Sequence, residues 1–97
     1  MNFREVAKGK PCMIRLPGCN GDPATTVLTH YRLAGYTGIG MKPDDYAFGA
    51  WSCSNCHELV DGRRMTDTPR ELLRLAHAEG CLRTQAELRA MKQRGEL

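Results

Sequence analysis

The last third of the chain carries the clearest helical pattern of apolar and polar positions. Residues 68–71, Thr-Pro-Arg-Glu, have the form of a capping box with proline at the first helical position. Leu72, Leu75 and Ala76 follow at helical spacing and predict a buried stripe, with Leu73 at its edge. A glycine at position 80 is expected to end this helix.

A second helix is predicted directly after that glycine. Residues 84–87, Thr-Gln-Ala-Glu, form another capping box, and Leu88 and Met91 continue the apolar pattern toward a basic end. Residues 80–83 then link the two helices. The pattern therefore predicts two short C-terminal helices within residues 68–94.

Strand-like patterns lie in the middle of the chain. Residues 25–31, Thr-Thr-Val-Leu-Thr-His-Tyr, are rich in β-branched and aromatic side chains and predict a strand. Residues 46–51 predict a second strand, and residues 52–62 predict a tight turn that runs into a short helix ended by Gly62. Strands and helices in this proportion indicate an α+β fold.

The chain is divided into three regions that we expect to form one domain, residues 1–97. The first, residues 1–24, is a basic arm followed by a turn region rich in proline and glycine. Residues 25–62 contain most of the candidate chemistry, and residues 68–94 form the predicted helices.

Length and composition indicate a small core. The chain has 97 residues, of which only 6% are aromatic, and a chain of this length buries only about 60–65% of its unfolded surface. The net charge is +3, with ten arginines against four lysines, which slightly favours phosphate contact. No apolar run reaches the roughly 18 residues that span a bilayer, and the N-terminus has no apolar signal segment. A cytoplasmic protein without membrane association is therefore expected.

The cysteines offer the stabilisation that a small core lacks. Cys53 and Cys56 form a C-x-x-C pair, and Cys12 and Cys19 form a C-x6-C pair. Four thiolates can surround one tetrahedral Zn²⁺, and such a site contributes on the order of 10 kcal/mol to folding. We therefore predict a structural zinc on these four residues, whereas Cys81 is expected to fill the core.

Other interpretations of the cysteines remain open at this point. The four thiols can be free and buried without a metal. Residues 53–57, Cys-Ser-Asn-Cys-His, match the covalent haem attachment pattern, but haem leaves Cys12 and Cys19 unexplained. A thioredoxin-like redox motif needs a βαβ setting that the sequence does not show.

The histidines and acids suggest a second site. His57 and Asp61 are four residues apart and project from one helical face, where they can hold a divalent ion on one side. His30 lies near the end of the first strand, and an imidazole is suited to act as a general base near neutral pH. Alternatives are a role of His57 in the zinc knuckle or as a helix cap, and a packed core position for His30. His77 is expected to be partly exposed on its helix.

Several stretches together resemble the HNH, or ββα-metal, endonuclease superfamily, and within it the small prophage-encoded YbcO-like nucleases. The resemblance extends over about residues 3–80, and four segments carry it: 12–22, 28–32, 40–45 and 53–63. The resemblance implies a small zinc-stabilised ββα-metal domain to which the two C-terminal helices are added. The four cysteines match the structural zinc of cysteine-bearing members.

The resemblance also implies roles for single residues. His30 matches the histidine that activates water, and His57 matches a ligand of the catalytic ion, with Asp61 where many relatives have a second ligand or a phosphate-contacting residue. Asp45 and Asp44 fall near the motif asparagine, so that one orients His30 and the other completes the metal shell. The chain departs from the pattern in having an acid for that asparagine and a threonine, a poor ligand, at position 29.

The function implied is a metal-dependent endonuclease that hydrolyses DNA phosphodiester bonds. The catalytic ion would be Mg²⁺, Mn²⁺ or Zn²⁺, which polarises the scissile phosphate. DNA is the implied partner, and phage or host recombination and replication proteins are further candidates. The alternative is a non-catalytic zinc-ribbon-like module of phage origin that binds DNA or protein. Basic residues that flank the proposed site are candidates for phosphate contact or, equally, a solvated rim: Arg32, Lys42, Arg63 and Arg64.

Overall fold

A two-stranded antiparallel sheet organises the described part of the chain, residues 2–38 and 40–97 of the computed structural model. Strand β1 (Val27–His30) pairs with β2 (Gly49–Ser52), so that Leu28 lies opposite Trp51 and His30 opposite Gly49. The expected α+β class is confirmed. There are four α-helices in the described residues: α1 (Phe3–Ala7) precedes β1, α2 (Asp45–Phe48) lies between the strands, and α3 (Ser54–Val60) and α4 (Arg70–Gln93) come after β2.

The two predicted C-terminal helices are a single helix, α4. Gly80, predicted to be a helix end, lies inside this helix. Its lack of a side chain lets residues 13 and 14 pack closely against the helix. A Cβ atom at position 80 would lie 2.9 Å from Ile14 Cγ1 and 3.2 Å from the carbonyl oxygen of Met13. Thr84, predicted to cap the second helix, instead accepts a hydrogen bond from the Trp51 amide at 3.0 Å.

The buried face of α4 was predicted only in part. Leu73, Leu88 and Met91 are buried and Ala76 packs partly buried against the core, as expected. Leu72 and Leu75 are 52% and 54% exposed, and His77, expected to be partly exposed, is only 6% exposed. Because two polar residues, His77 and Thr84, satisfy their hydrogen bonds inside, hydrophobicity alone gives the wrong phase. The prediction that Cys81 fills the core is confirmed. The buried residues of α4 are Leu73, His77, Gly80, Cys81, Thr84, Leu88 and Met91.

The segment predicted as a second strand, 46–51, is a helical turn followed by a strand. The carboxylate of Asp44 accepts hydrogen bonds from the amides of Tyr46 and Ala47, at 2.8 and 3.0 Å, and thereby starts α2. This capping bond outweighs the strand propensity of the following residues. The helix predicted after the C-x-x-C pair is confirmed as α3, with Gly62 directly after its C-cap at φ +77°.

The N-terminal arm is partly helical, which the sequence interpretation missed. The Asn2 side chain accepts hydrogen bonds from the amides of Arg4 and Glu5 and caps α1. A 3-10 turn, Pro23–Thr25, leads into β1, which is shorter than the predicted 25–31. The capping box at 68–71 is not formed as predicted, because Pro69 is the N-cap of α4 and no side chain bonds there.

Two clusters of buried side chains make up the core. One surrounds the cysteines and the other joins α1 to β2 and α4. A hydrogen bond of 2.7 Å from the Met13 amide to the Trp51 carbonyl connects the cysteine-bearing loop to β2, where the two clusters meet. Among residues 2–38 and 40–97, no helix is long and apolar enough to cross a membrane. The clusters contain Ile14, Leu16, Ala50, Cys53, Cys56, Leu59, Leu73 and Cys81 in the first, and Ala7, Met13, Trp51, Leu88 and Met91 in the second.

We expect Gly80→Ala to destabilise the protein although alanine is the better helix former. Helix propensity favours alanine by about 1 kcal/mol, but the added methyl group overlaps Ile14 and the Met13 carbonyl, and overpacking typically costs about 1–3 kcal/mol. Urea denaturation of the zinc-loaded protein measures the net loss. A variant more stable than the wild type by about the propensity gain would contradict the close packing of α4 on residues 13 and 14.

Candidate active site and cysteine cluster

The four predicted zinc ligands lie together. The sulfur atoms of Cys12, Cys19, Cys53 and Cys56 are all within 4.8 Å of one another, and the Cys19 and Cys53 sulfurs are 3.6 Å apart. Zn–S bonds of about 2.3 Å in a tetrahedron place sulfurs about 3.8 Å apart. The donor set therefore fits zinc, and the cluster can hold one metal ion of this kind.

Local backbone geometry aims these sulfurs at one point. Cys53 is the N-cap of α3, and its sulfur accepts a hydrogen bond from the Cys56 amide at 3.4 Å. The other pair is turned toward it by a bond from the Cys19 amide to the Leu16 carbonyl. The Asn55 side chain donates to the Gly18 carbonyl at 3.1 Å and joins the two loops.

The proximity of the thiols alters their acidity. A hydrogen bond with the Cys56 thiol lowers the pKa of Cys12, and the same contact, together with burial, raises the pKa of Cys56. One thiol of this pair therefore ionises first. Because zinc binds thiolates and displaces their protons, such a cluster releases protons when it takes up the metal.

His30 is paired with a carboxylate at the end of β1. Its Nε2 atom lies 2.6 Å from Asp45 Oδ1. When the imidazole is neutral, this bond places the proton on Nε2 and leaves Nδ1 to accept one. Gly49 makes the pairing possible, since a Cβ there would overlap Leu28, 2.6 Å away, and the backbone of Asp45 itself.

His57 and Asp61 lie next to each other at the end of α3. His57 Nε2 is 3.1 Å from Asp61 Oδ2, and the Arg63 guanidinium lies 2.8 Å from the same carboxylate oxygen. Arg63 also approaches His57 Nε2 at 3.4 Å. An imidazole and a carboxylate at this spacing present two ligand atoms to one divalent ion.

An open pocket of about 240 Å³ brings these groups together. His30, His57 and Asp61 all line it. The side chains of these three residues are 22%, 32% and 31% exposed, so solvent and a large substrate reach them. The pocket therefore contains both a candidate base and a candidate metal-binding pair.

Of the other predicted site residues, some lie at the pocket and others do not. Arg32 lines the pocket, and Lys42 is exposed between two residues that line it. Arg64 is instead bound to Glu58 on α3, 2.7 Å away. Asp44 caps α2 and is not among the residues lining the pocket. Thr29 is buried and its hydroxyl pairs with that of Ser52.

A second group of residues near the site was missed by sequence reasoning. His77 Nε2 donates to the Thr29 carbonyl at 3.0 Å, and burial lowers the pKa of this histidine, so it is a neutral support beneath β1. Arg74 donates to the Tyr31 hydroxyl and the Arg32 carbonyl, at 2.9 and 3.0 Å. The i,i+4 spacing of Arg70 and Arg74 indicated that both lie on one face of α4, but only the tertiary fold shows that this face is next to the site.

The candidate catalytic metal position has few protein ligands. In residues 2–38 and 40–97, the four cysteines are the group of three or more ligand side chains close enough to share an ion. His57 and Asp61 supply two ligand atoms, and Mg²⁺ typically uses only one or two carboxylates with water and substrate phosphate. A carboxylate suits Mg²⁺ or Mn²⁺ and an imidazole suits Zn²⁺, so the pair can hold any of these divalent ions, with water and phosphate completing the shell.

Comparisons with known proteins agree with this architecture. Two proteins, "Putative nuclease YbcO" of Escherichia coli (strain K12) and "Putative nuclease ybcO" of Enterobacteria phage 82, are each 46% identical over 63 residues. These matches cover 64% of this chain and 65% of each relative's length.

A solved structure gives the same picture for the fold. It is described as "Structure of a putative bacteriophage protein from Escherichia coli str. K-12 substr. MG1655", and it superimposes with a TM-score of 0.72 at 34% identity. The superposition covers 97% of this chain and 100% of that one. A family model described as "Putative nuclease YbcO" matches residues 1–93. The chain therefore belongs to the YbcO family.

Proposed function

We propose that the protein is a metal-dependent endonuclease of the HNH, or ββα-metal, type that hydrolyses DNA phosphodiester bonds. The observation that carries the proposal is one open pocket lined by His30, His57 and Asp61 together. The names of the relatives, which call them nucleases, support the same class of reaction. Along the chain, β1 with His30 precedes β2 and then α3 with His57, which is the order of elements in a ββα-metal site.

His30 serves as the general base. Its hydrogen bond to Asp45 holds the ring and fixes the proton on Nε2, so Nδ1 takes a proton from water. The resulting hydroxide attacks phosphorus, the bond to one neighbouring sugar oxygen breaks, and that oxygen receives a proton from solvent. Asp45 also stabilises the imidazolium that forms.

His57 and Asp61 would hold the divalent ion, which would polarise the scissile phosphate and stabilise negative charge on the leaving oxygen. Asp61 brings the one carboxylate of this pair, and Arg63 lies against it at 2.8 Å. The guanidinium is thus within reach of a phosphate bound at the same ion.

The four-cysteine cluster has a structural role in this proposal. Cys53 and Cys56 open α3, the helix that carries His57 and Asp61. A zinc ion on the four thiolates would fix the start of α3 and, with it, the candidate metal position. No protein sulfur takes part in the hydrolytic step.

Plasmid cleavage tests the proposal. We expect the zinc-loaded protein to nick supercoiled DNA only when Mg²⁺ or Mn²⁺ is added. Asp61→Asn should raise the ion concentration needed for half-maximal cleavage by at least the roughly 10- to 100-fold that loss of a metal's supporting carboxylate costs.

Asp67→Asn is the matched control, because Asp67 is exposed outside the pocket and the substitution removes the same charge. An equal shift in both variants would contradict a metal role for Asp61. If no ion supports cleavage while the protein still binds DNA, the chain is instead a non-catalytic zinc-containing binding module.

A further inference from the structure

Three depressions in the surface meet at His30. The pocket described above is one of them. A second, the α4 cleft, is lined by His30, Asp61, Arg70, Arg74 and His77, among others. The third, the α1 groove, has a volume of about 540 Å³ and is lined by Arg4, Lys8, His30 and residues 24–28. His30 therefore connects the α1 groove, the pocket and the α4 cleft.

The cations of the α1 groove are available to a ligand. The side chains of Arg4 and Lys8 are 61% and 71% exposed. Arg4 lies 3.9 Å from Asp45, and Lys8 lies 3.1 Å from Glu5. Exposed ion pairs of this kind contribute about 0–1 kcal/mol, so a phosphate can replace either carboxylate at little cost.

The α4 cleft, a separate depression that also reaches His30, presents further cations. Arg70 is exposed at the first turn of α4, and Arg74 follows one turn later on the same face. The Arg74 guanidinium is fixed over the Tyr31 ring, 4.6 Å from its centroid. Two bonds from its Nη2 atom, to the Tyr31 hydroxyl and the Arg32 carbonyl, hold Arg74 in place, so it supplies positive potential from a fixed position, whereas Arg70 is exposed.

We propose that α1 and α4 form a phosphate track through the site, in which Arg4 and Lys8 bind backbone phosphates of DNA on one side of His30 and Arg70 binds them on the other. The inference rests on the proposed function and names the partner's chemistry more closely. Cations on both sides of the base require a substrate with phosphates on both sides of the reacting one. The track thus fits a continuous DNA strand rather than a free nucleotide or a strand end.

DNA binding without cleavage tests the track. The probe is a fluorescein-labelled 20-base-pair duplex, and the protein is the zinc-loaded full chain carrying His30→Ala, with no added Mg²⁺. Fluorescence anisotropy between 50 and 200 mM salt gives the dependence of log K on log salt. Each phosphate contact contributes about 0.9 to the magnitude of that slope.

We expect the Arg4→Gln/Lys8→Gln pair to lower the slope by about 2 and Arg70→Gln to lower it by about 1, with affinity at 100 mM salt reduced about tenfold or more. The charge-matched control is Lys92→Gln/Arg94→Gln at the end of α4, outside all three depressions. Arg4→Lys and Arg70→Lys should largely restore the slope. Zinc content and melting temperature verify that each variant is folded.

The possible outcomes separate the track from the proposed function. An unchanged slope in both sets, or a loss no larger than in the control, overturns the track even if the wild-type protein cleaves plasmid. A slope reduced as expected supports the track even if no divalent ion supports cleavage, in which case the endonuclease proposal alone fails.

Discussion

Replacement of His30 by alanine is expected to lower the rate of plasmid cleavage by about 10²- to 10⁴-fold, the range that general-base catalysis typically contributes. DNA binding should be nearly unchanged, because the role assigned to His30 is to accept a proton from water. The loss should appear in the single-turnover rate at saturating protein, where binding no longer limits the reaction. The side chain is only partly buried, so the fold should tolerate the change.

Asp45→Asn distinguishes a base–carboxylate pair from two independent residues. The amide keeps the shape of the side chain but removes the charge that supports the His30 imidazolium, so the rate should fall by less than in His30→Ala. The double variant should be no slower than His30→Ala alone, because residues that act as a unit are non-additive. Equal rates for the wild type and His30→Ala, at equal zinc content, would remove His30 from the mechanism.

Replacement of Cys56 by serine is expected to unfold the protein at 25 °C. A structural zinc site contributes on the order of 10 kcal/mol, and the total stability of a domain is about 5–15 kcal/mol. Cys56 is fully buried within one of the two core clusters, so loss of the ligand also leaves an unpaired hydroxyl in an apolar environment. Circular dichroism and zinc content per chain measure the effect.

Cys81→Ser is the matched control for this experiment. Cys81 is also buried, and burial raises the pKa of its thiol to about 12, so it stays protonated. Its sulfur lies 3.4 Å from the Phe48 carbonyl and is not part of the four-cysteine cluster. This variant should keep one zinc per chain and remain folded. Closely similar melting curves for the two serine variants would contradict a structural zinc on the cluster.

The sequence predicted those parts of the molecule that depend on short-range signals. The C-x-x-C pair and Gly62 predicted α3 correctly because both act within one turn. The i,i+4 spacing of His57 and Asp61 placed their side chains side by side for the same reason. The sequence also predicted that the four cysteines lie together, because a zinc ion requires four ligands, although the two pairs are far apart in the chain.

The errors concern features that depend on distant segments. A glycine at position 80 predicts a helix end, because glycine often follows the last helical residue, but its function here is to accommodate Ile14. The phase of α4 was misassigned because His77 and Thr84 bury polar groups against β1 and β2. Hydrogen bonds of this kind between residues more than 30 positions apart leave no local pattern.

The candidate site was predictable in its centre and not at its edges. His30, His57 and Asp61 carry recognisable chemistry, and the pocket contains all three. Arg4 and Arg70 have no distinguishing sequence context, and they share surface depressions with His30 only because of where the tertiary fold places α1 and α4. Sequence reasoning therefore favoured basic residues near the motifs, of which Arg64 is bound to Glu58 instead.

The central claim is that the chain has two metal positions with different tasks, a cysteine cluster that holds zinc and a His57–Asp61 pair that holds the catalytic ion opposite His30. Metal counting on wild-type protein and His57→Ala tests it most directly, with zinc measured by native mass spectrometry and Mn²⁺ by electron paramagnetic resonance. The account predicts one zinc and one Mn²⁺ per wild-type chain, and one zinc without Mn²⁺ in the variant. Loss of zinc from His57→Ala, or no Mn²⁺ bound to the wild type, would contradict it.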